Sequence, residues 1–146
     1  MHTRYKLGAA AIILNEQDSV LLVKHSYGRL NWELPGGGNE EGESIVETVL
    51  REVREETGLQ VIAVHTSGIY YEPETGMHHF VFWCRPQDGT FSDLHIDNDE
   101  ITECVFWSPD ALPRPISDFT VRRITDGISG IRLPLPTVIA SRQWLD

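Results

Sequence analysis

The stretch GGNEEGESIVETVLREVREETGL, residues 37–59, decides the fold, because it carries a helix with both ends marked and an acidic cluster on a known face. Ser44 followed by Glu47 has the S-x-x-E spacing of a capping box, in which the serine and glutamate side chains satisfy each other's free backbone N–H groups. The spacing predicts a helix that begins at about Ser44 and stops at Gly58. On a helical wheel Ile45, Val46, Val49, Leu50 and Val53 fill one arc, the face that packs on a sheet. Glu52 and Glu56 stand one turn apart on one stripe, and Glu55 lies beside them. Glu56 falls inside the apolar arc, with no basic residue following within helical reach.

A carboxylate aimed at the protein body beside two others is unfavourable unless cations neutralise it. The donors are all oxygens, with no Cys or His nearby, which favours Mg²⁺, Mn²⁺ or Ca²⁺ over zinc. The competing reading is a solvated face held by salt bridges, since Glu47 with Arg51 and Arg51 with Glu55 are i,i+4 pairs worth about 0.2–0.5 kcal/mol each. Arg51 is read as the organiser of the carboxylates. Upstream, Gly36, Gly37 and Gly38 follow Pro35 and a short expected strand at residues 31–34. Glycines there let the backbone approach a ligand or adopt positive φ at little cost.

The layout of Gly37, Glu43, Arg51, Glu52, Val53, Glu55, Glu56, Gly58 and Leu59 resembles the Nudix signature, G(x5)E(x7)RE(V)xEExG(L), at every defined position. The resemblance implies a metal-dependent pyrophosphatase that cleaves a nucleoside diphosphate linked to another group. It implies Mg²⁺ or Mn²⁺ held by Glu52, Glu55 and Glu56, with a backbone carbonyl of Gly36 or Gly37 in the shell; Gly37 is taken as that ligand. The general base differs among such enzymes, being a box glutamate in some and a later loop acid in others. Here the loop is Asp97-Asn98-Asp99-Glu100, with Glu100 favoured as fourth ligand or base and Asp97 and Asp99 as alternatives. Gly36, Gly37, Gly38 and Trp32 are expected to meet the substrate. Trp32, Tyr70 and Tyr71 are candidates for stacking on a base.

Substrate markers point several ways. Pro73 stands fourteen residues past Leu59, near where ADP-ribose pyrophosphatases of the family carry a proline, while Tyr70 and Tyr71 precede the tyrosine of dinucleoside polyphosphate hydrolases. The upstream motif of the coenzyme A branch is absent. Candidates are ADP-ribose, nucleotide sugars, oxidised nucleoside triphosphates and dinucleoside polyphosphates. The alternative to an enzyme is a nucleotide-binding sensor that does not hydrolyse its ligand.

The 146 residues, 40% hydrophobic and 23% charged, fit one globular domain over residues 1–146. The net charge of −10 argues against binding nucleic acid duplexes through a basic surface. Residues 37–59 hold seven Glu and two Arg, so half of that excess, −5, lies in the acidic segment. Arg4 and Lys6 precede a small apolar run at residues 8–14 that reads as a strand, since the polar Asn15-Glu16-Gln17-Asp18 follows in place of a cleavage site. Nothing approaches the ~20 apolar residues of a membrane span. A cytoplasmic protein with a small nucleotide as partner is expected.

Cys84 and Cys104 share no metal-ligand spacing and read as buried free thiols. His78 and His79 alternate across one strand and read as structural or surface residues. The remaining strands are expected at residues 20–24, 60–71, 77–85 and 103–108, with a second helix at 117–128. Strands interspersed with two helices suggest a mixed sheet between helices, an α/β/α sandwich of the α+β kind, as in the Nudix fold. The tail at residues 129–146 is expected as a C-terminal arm, a frayed end or the contact of a homodimer.

Overall fold

The computed structural model describes residues 6–131 and 135–146. Arg4 of the amino-terminal reading, and Leu133 and Pro134 of the tail, lie outside these residues. In chain order the elements are β1 (Lys6–Ile12), β2 (Val20–His25), β3 (Trp32–Glu33), β4 (Gly36–Gly38), α1 (Ile45–Thr57), β5 (Val61–Glu72) and β6 (Met77–Pro86). Then follow β7 (Ile101–Trp107), β8 (Ile116–Ser117), α2 (Asp118–Ser129), β9 (Thr137–Val138) and β10 (Trp144–Leu145). The class is α+β, as expected, but the strands divide between two mixed sheets: β4-β1-β6-β5-β9 and β10-β8-β3-β2-β7.

Two strands explain how the sheets and helices share a core. In β1, side chains alternate between faces: Ala10 and Ile12 join a cluster with Trp32, Tyr70, Phe119 and Ile124, while Ala9 and Ala11 join one with Val49, Val53 and Leu59. In β2, Leu22 goes to the first cluster and Leu21 to the second. The first cluster lies against α2 and the second against α1, so each helix covers an apolar body of its own. Close approach on the α2 side needs a missing side chain, since a Cβ on Gly127 would stand 2.2 Å from Ile12 Cδ1.

Helix α1 forms where its caps place it. Ser44 accepts from the Glu47 N–H at 3.1 Å and the Ser44 N–H donates to Glu47 at 2.9 Å. Gly58 ends the helix at φ 79°, a conformation glycine adopts without penalty. Val49 and Val53 are fully buried, but Val46, read as part of the packing arc, is 39% exposed at the edge of that face.

The three glycines are extended backbone, and none of them has positive φ among the described residues. They form β4, antiparallel to β1 with Gly8 opposite Gly38 and Ala10 opposite Gly36. What requires glycine is proximity: a Cβ on Gly36 would lie 2.2 Å from the Ala9 carbonyl.

Residues 135–146 run along both sheets. Strand β9 adds parallel to β5, and β10 pairs antiparallel with β8. Between them Arg142 donates to Glu72 at 2.9 Å, Ser141 bonds Glu74, and the Gln143 N–H donates to Asp118 at 2.9 Å. Cys84 is buried and Cys104 partly so; both are free, and burial pushes each thiol up to about 12, beyond easy ionisation. No helix among the described residues is long and apolar enough to cross a membrane.

Candidate active site

Helix α1 and strand β4 place the acidic residues against the glycines. Glu56 is 6% exposed and accepts the Gly36 N–H at 2.8 Å. Desolvation pushes its carboxyl up to about 8, opposed by that hydrogen bond and reinforced by the charges of Glu52, Glu33 and Glu100. Glu52 lies directly against Gly37, where a Cβ would stand 2.6 Å from its carboxylate. Burial, together with Glu55 and Glu100, raises the Glu52 carboxyl as well, although its partner Arg51 acts in the opposite direction.

Arg51 ties the segment together. Its Nε and Nη2 grip the two oxygens of Glu43, each at 2.9 Å, its Nη1 reaches Glu52 at 2.9 Å and Glu55 at 3.2 Å, and Nη2 also donates to the Gly38 carbonyl at 3.0 Å. The guanidinium therefore links the turn before α1, the helix and β4. Glu43, which also accepts from the Glu40 N–H and the Thr48 hydroxyl, is held down to about 2, chiefly by Arg51. The expected pair between Glu47 and Arg51 does not form, because Glu47 is occupied in the capping box and Glu43 takes its place.

The loop before β7 comes to the same end of α1. Asn98 anchors it, donating to the Glu55 carbonyl at 3.0 Å and accepting from the N–H groups of Glu100 and Ile101. Glu100 is exposed, and near enough for its charge to act on Glu52, Glu56 and Tyr27.

The donor set suits a hard divalent cation: oxygens alone, two carboxylates made harder to ionise by burial and neighbouring acids, and, among the described residues, no cation paired with Glu56. Among the described residues no three His, Cys, Asp or Glu side chains are already gathered as a chelating cluster. Glu55 explains part of this, since it is half-exposed and turned to Arg51.

The aromatic candidates fare differently. Trp32 is 4% exposed and packs edge-on to Trp107 at 5.2 Å, so no ring face is open to a base. Tyr70 is fully buried and donates to Asp126 at 2.8 Å. Tyr71 lies against His78, with ring centroids 4.6 Å apart.

A cavity of about 240 Å³ opens beside β4, with Gly36, Gly37 and Gly38 in its wall. Glu33, His79, Arg123 and Arg142 also line it. His79 is therefore more than a structural residue: it lines the cavity and bonds Glu72 at 3.0 Å, while burial lowers its pKa against the opposing effect of that carboxylate. Each of these four comes from a different element, and no local spacing in the sequence marks them as a group.

The family model for the NUDIX domain matches residues 4–126. The chain belongs to the Nudix family. It is 33% identical over 126 residues to a Bacillus subtilis (strain 168) protein named provisionally as an 8-oxo-dGTP diphosphatase, covering 86% of this chain and 82% of that one. It is 33% identical over 118 residues to the mouse 8-oxo-dGDP phosphatase NUDT18, covering 80% of this chain but only 36% of that relative's length. Among solved structures, an ADP-ribose pyrophosphatase from Streptococcus suis 89-1591 superposes with a TM-score of 0.70 at 26% identity, over 92% of this chain and 98% of that one. As a Nudix hydrolase the chain is a pyrophosphatase by class, and its relatives' names span more than one substrate.

Proposed function

We propose that this Nudix hydrolase cleaves the diphosphate linkage of a nucleoside diphosphate derivative with Mg²⁺ or Mn²⁺ held at Glu52, Glu55, Glu56 and the Gly37 carbonyl. The observation that carries the reading is Glu56: a buried carboxylate, without a cationic partner among the described residues, oriented by the Gly36 N–H and crowded by Glu52. A divalent cation there would neutralise the phosphate oxygens and lower the pKa of an attacking water.

The chain's own groups supply the rest. Gly36 fixes one oxygen of Glu56, Arg51 fixes Glu52, and Gly37 leaves room for the Glu52 carboxylate beside the backbone. Glu55 must leave Arg51 to reach an ion, and its exposure makes that rotation inexpensive. Glu100 is our choice for the fourth ligand or the base that takes the proton from water, and the anchoring of its loop to α1 by Asn98 supports that choice. Among the candidate substrates, the relatives' names favour oxidised guanine nucleotides and ADP-ribose.

The test is release of phosphate, pyrophosphate or nucleoside monophosphate from a nucleotide panel in Mg²⁺. At least one nucleoside-diphosphate compound should be turned over, and chelator should abolish the activity. Turnover that survives chelation, or none across the panel, contradicts the reading.

A further inference from the structure

Strand β7 ends its sheet with an open edge. The order β10-β8-β3-β2-β7 gives it β2 on one side and no neighbour on the other. In a strand paired on one side, alternate N–H and C=O groups point away from the partner. Among the described residues, the main chain of residues 103–107 meets no backbone partner outside the pairing with β2.

The other edges are short, occupied or bulged. Strand β4 has three residues, with its Gly36 N–H taken by Glu56 and its Gly38 carbonyl by Arg51. Strands β9 and β10 have two residues each. Strand β5 is open upstream of β9, but its register with β6 shifts between Ala63 and His65 and again between Thr66 and Gly68. Such bulges twist an edge away from a flat partner. In β7 the one shift lies opposite Lys24 and His25, so Glu103 to Trp107 stay in unbroken register with Lys24 to Val20. These five residues, Glu-Cys-Val-Phe-Trp, form the longest regular run left uncovered among the described strands.

A row of main-chain donors and acceptors takes another extended chain, and the side chains select which one. Glu103 carries the only charge of the run and is met by Lys24 at 3.7 Å. Val105, at the centre, is 37% exposed, whereas Cys104 and Phe106 pack on the α1 side and Trp107 on the α2 side. A second copy of the same strand fits these features. Set antiparallel about a two-fold axis at Val105, it faces Val105 with Val105, Cys104 with Phe106 and Glu103 with Trp107. The two Glu103 positions are then four residues apart along the strands, about 13 Å, which exceeds the screening length of roughly 8 Å at physiological salt. A parallel copy in register would set Glu103 on Glu103. A chain of net charge −10 resists its own approach, and at this edge opposite charges are already paired. The two-fold pairing uses the β7 edge of each copy once, so it closes at a dimer.

We propose that the open edge of β7 is an interface with a second copy of this chain, paired antiparallel about Val105 so that two five-stranded sheets become one continuous sheet. Sedimentation equilibrium of the full chain should show a monomer–dimer equilibrium. V105K and V105E each set like charges against each other at the two-fold axis, and each should weaken the dimer about tenfold or more. An equimolar mixture of the two variants should recover a dimer, because Lys then faces Glu. A wild type that stays monomeric overturns the proposal and leaves the edge to water or to a foreign strand. Variants that dimerise as tightly as the wild type overturn it too, since the dimer would then use another surface. Variants that remain monomeric when mixed contradict the pairing at Val105. If either variant fails to fold by circular dichroism, hydrogen exchange of the wild type decides. Amide protection across residues 103–107 should rise with protein concentration through the monomer–dimer range, and protection independent of concentration overturns the proposal.

Discussion

Glu56 combines the properties that a catalytic carboxylate needs and a structural one lacks. A buried acid normally finds a cation or several donors, and among the described residues this one has a single backbone N–H. E56Q keeps the shape and that hydrogen bond while removing the charge, so kcat should fall by about a hundredfold or more with the fold retained, as steady-state kinetics and circular dichroism would show. The pH dependence has a definite sign. Because the folded value is about 8 and the ordinary one 4.5, the folded protein holds the extra proton between them. Stability contributed by that proton is complete below about 4.5 and is lost as pH rises through about 8. Metal-free wild type should therefore lose stability across that window in denaturant titrations, and E56Q should lose less. Glu43 and Glu72, both held down to about 2, act oppositely, and their contribution disappears as pH falls from 4.5 through 2. E100Q tests the base directly: a loss in kcat is expected, and wild-type rates would return the proton to a box glutamate or to Asp97 or Asp99.

At the scale of elements, the contact between β4 and α1 assembles the site, and Gly37 is its closest point. G37A would drive a Cβ into the Glu52 carboxylate 2.6 Å away and force it aside. Mg²⁺ affinity, measured by titration calorimetry, should fall about tenfold or more, with little change in α1 helicity. This part of the molecule was legible because it is local: the capping box, the terminal glycine and the spacing of the glutamates all lie within one stretch of chain. The same locality hid the partner of Arg51, because Glu43 precedes the helix and reaches Arg51 only after the turn has folded back. Val46 shows the limit of a helical wheel, which gives an arc but not where the facing sheet ends. The reading of Gly36 to Gly38 as a run free to approach a ligand or adopt positive φ missed their role in a strand for the same reason, since pairing with β1 is set by residues far away in sequence.

The whole molecule adds what no local pattern carries. Division into two sheets follows from pairings such as β1 with β6, and the cavity gathers Glu33 from β3, His79 from β6, Arg123 from α2 and Arg142 from the carboxyl-terminal arm. In sequence each is an isolated polar residue, and Trp32 looked the better ligand contact because an aromatic beside a glycine run is conspicuous. The acidic cluster also has a global consequence. Glu52, Glu55 and Glu56 lie in the last turns of α1, where the helix dipole disfavours anions, so the metal-free fold carries repulsion there. An ion bound only by the native state should stabilise it by about 2.7 kcal/mol at a hundredfold excess over Kd. For a domain of this size that amounts to very roughly 5–10 °C in Tm.

The most direct measurement is thermal unfolding of the wild type and of the double variant E52Q/E56Q, each with and without Mg²⁺ at constant ionic strength. If these carboxylates hold the ion, the wild type gains several degrees in Mg²⁺, while the double variant gains little and melts no lower than the metal-free wild type, having lost the repulsion. An equal gain in both proteins would show that the principal metal site lies elsewhere and would contradict the assignment of Glu52 and Glu56.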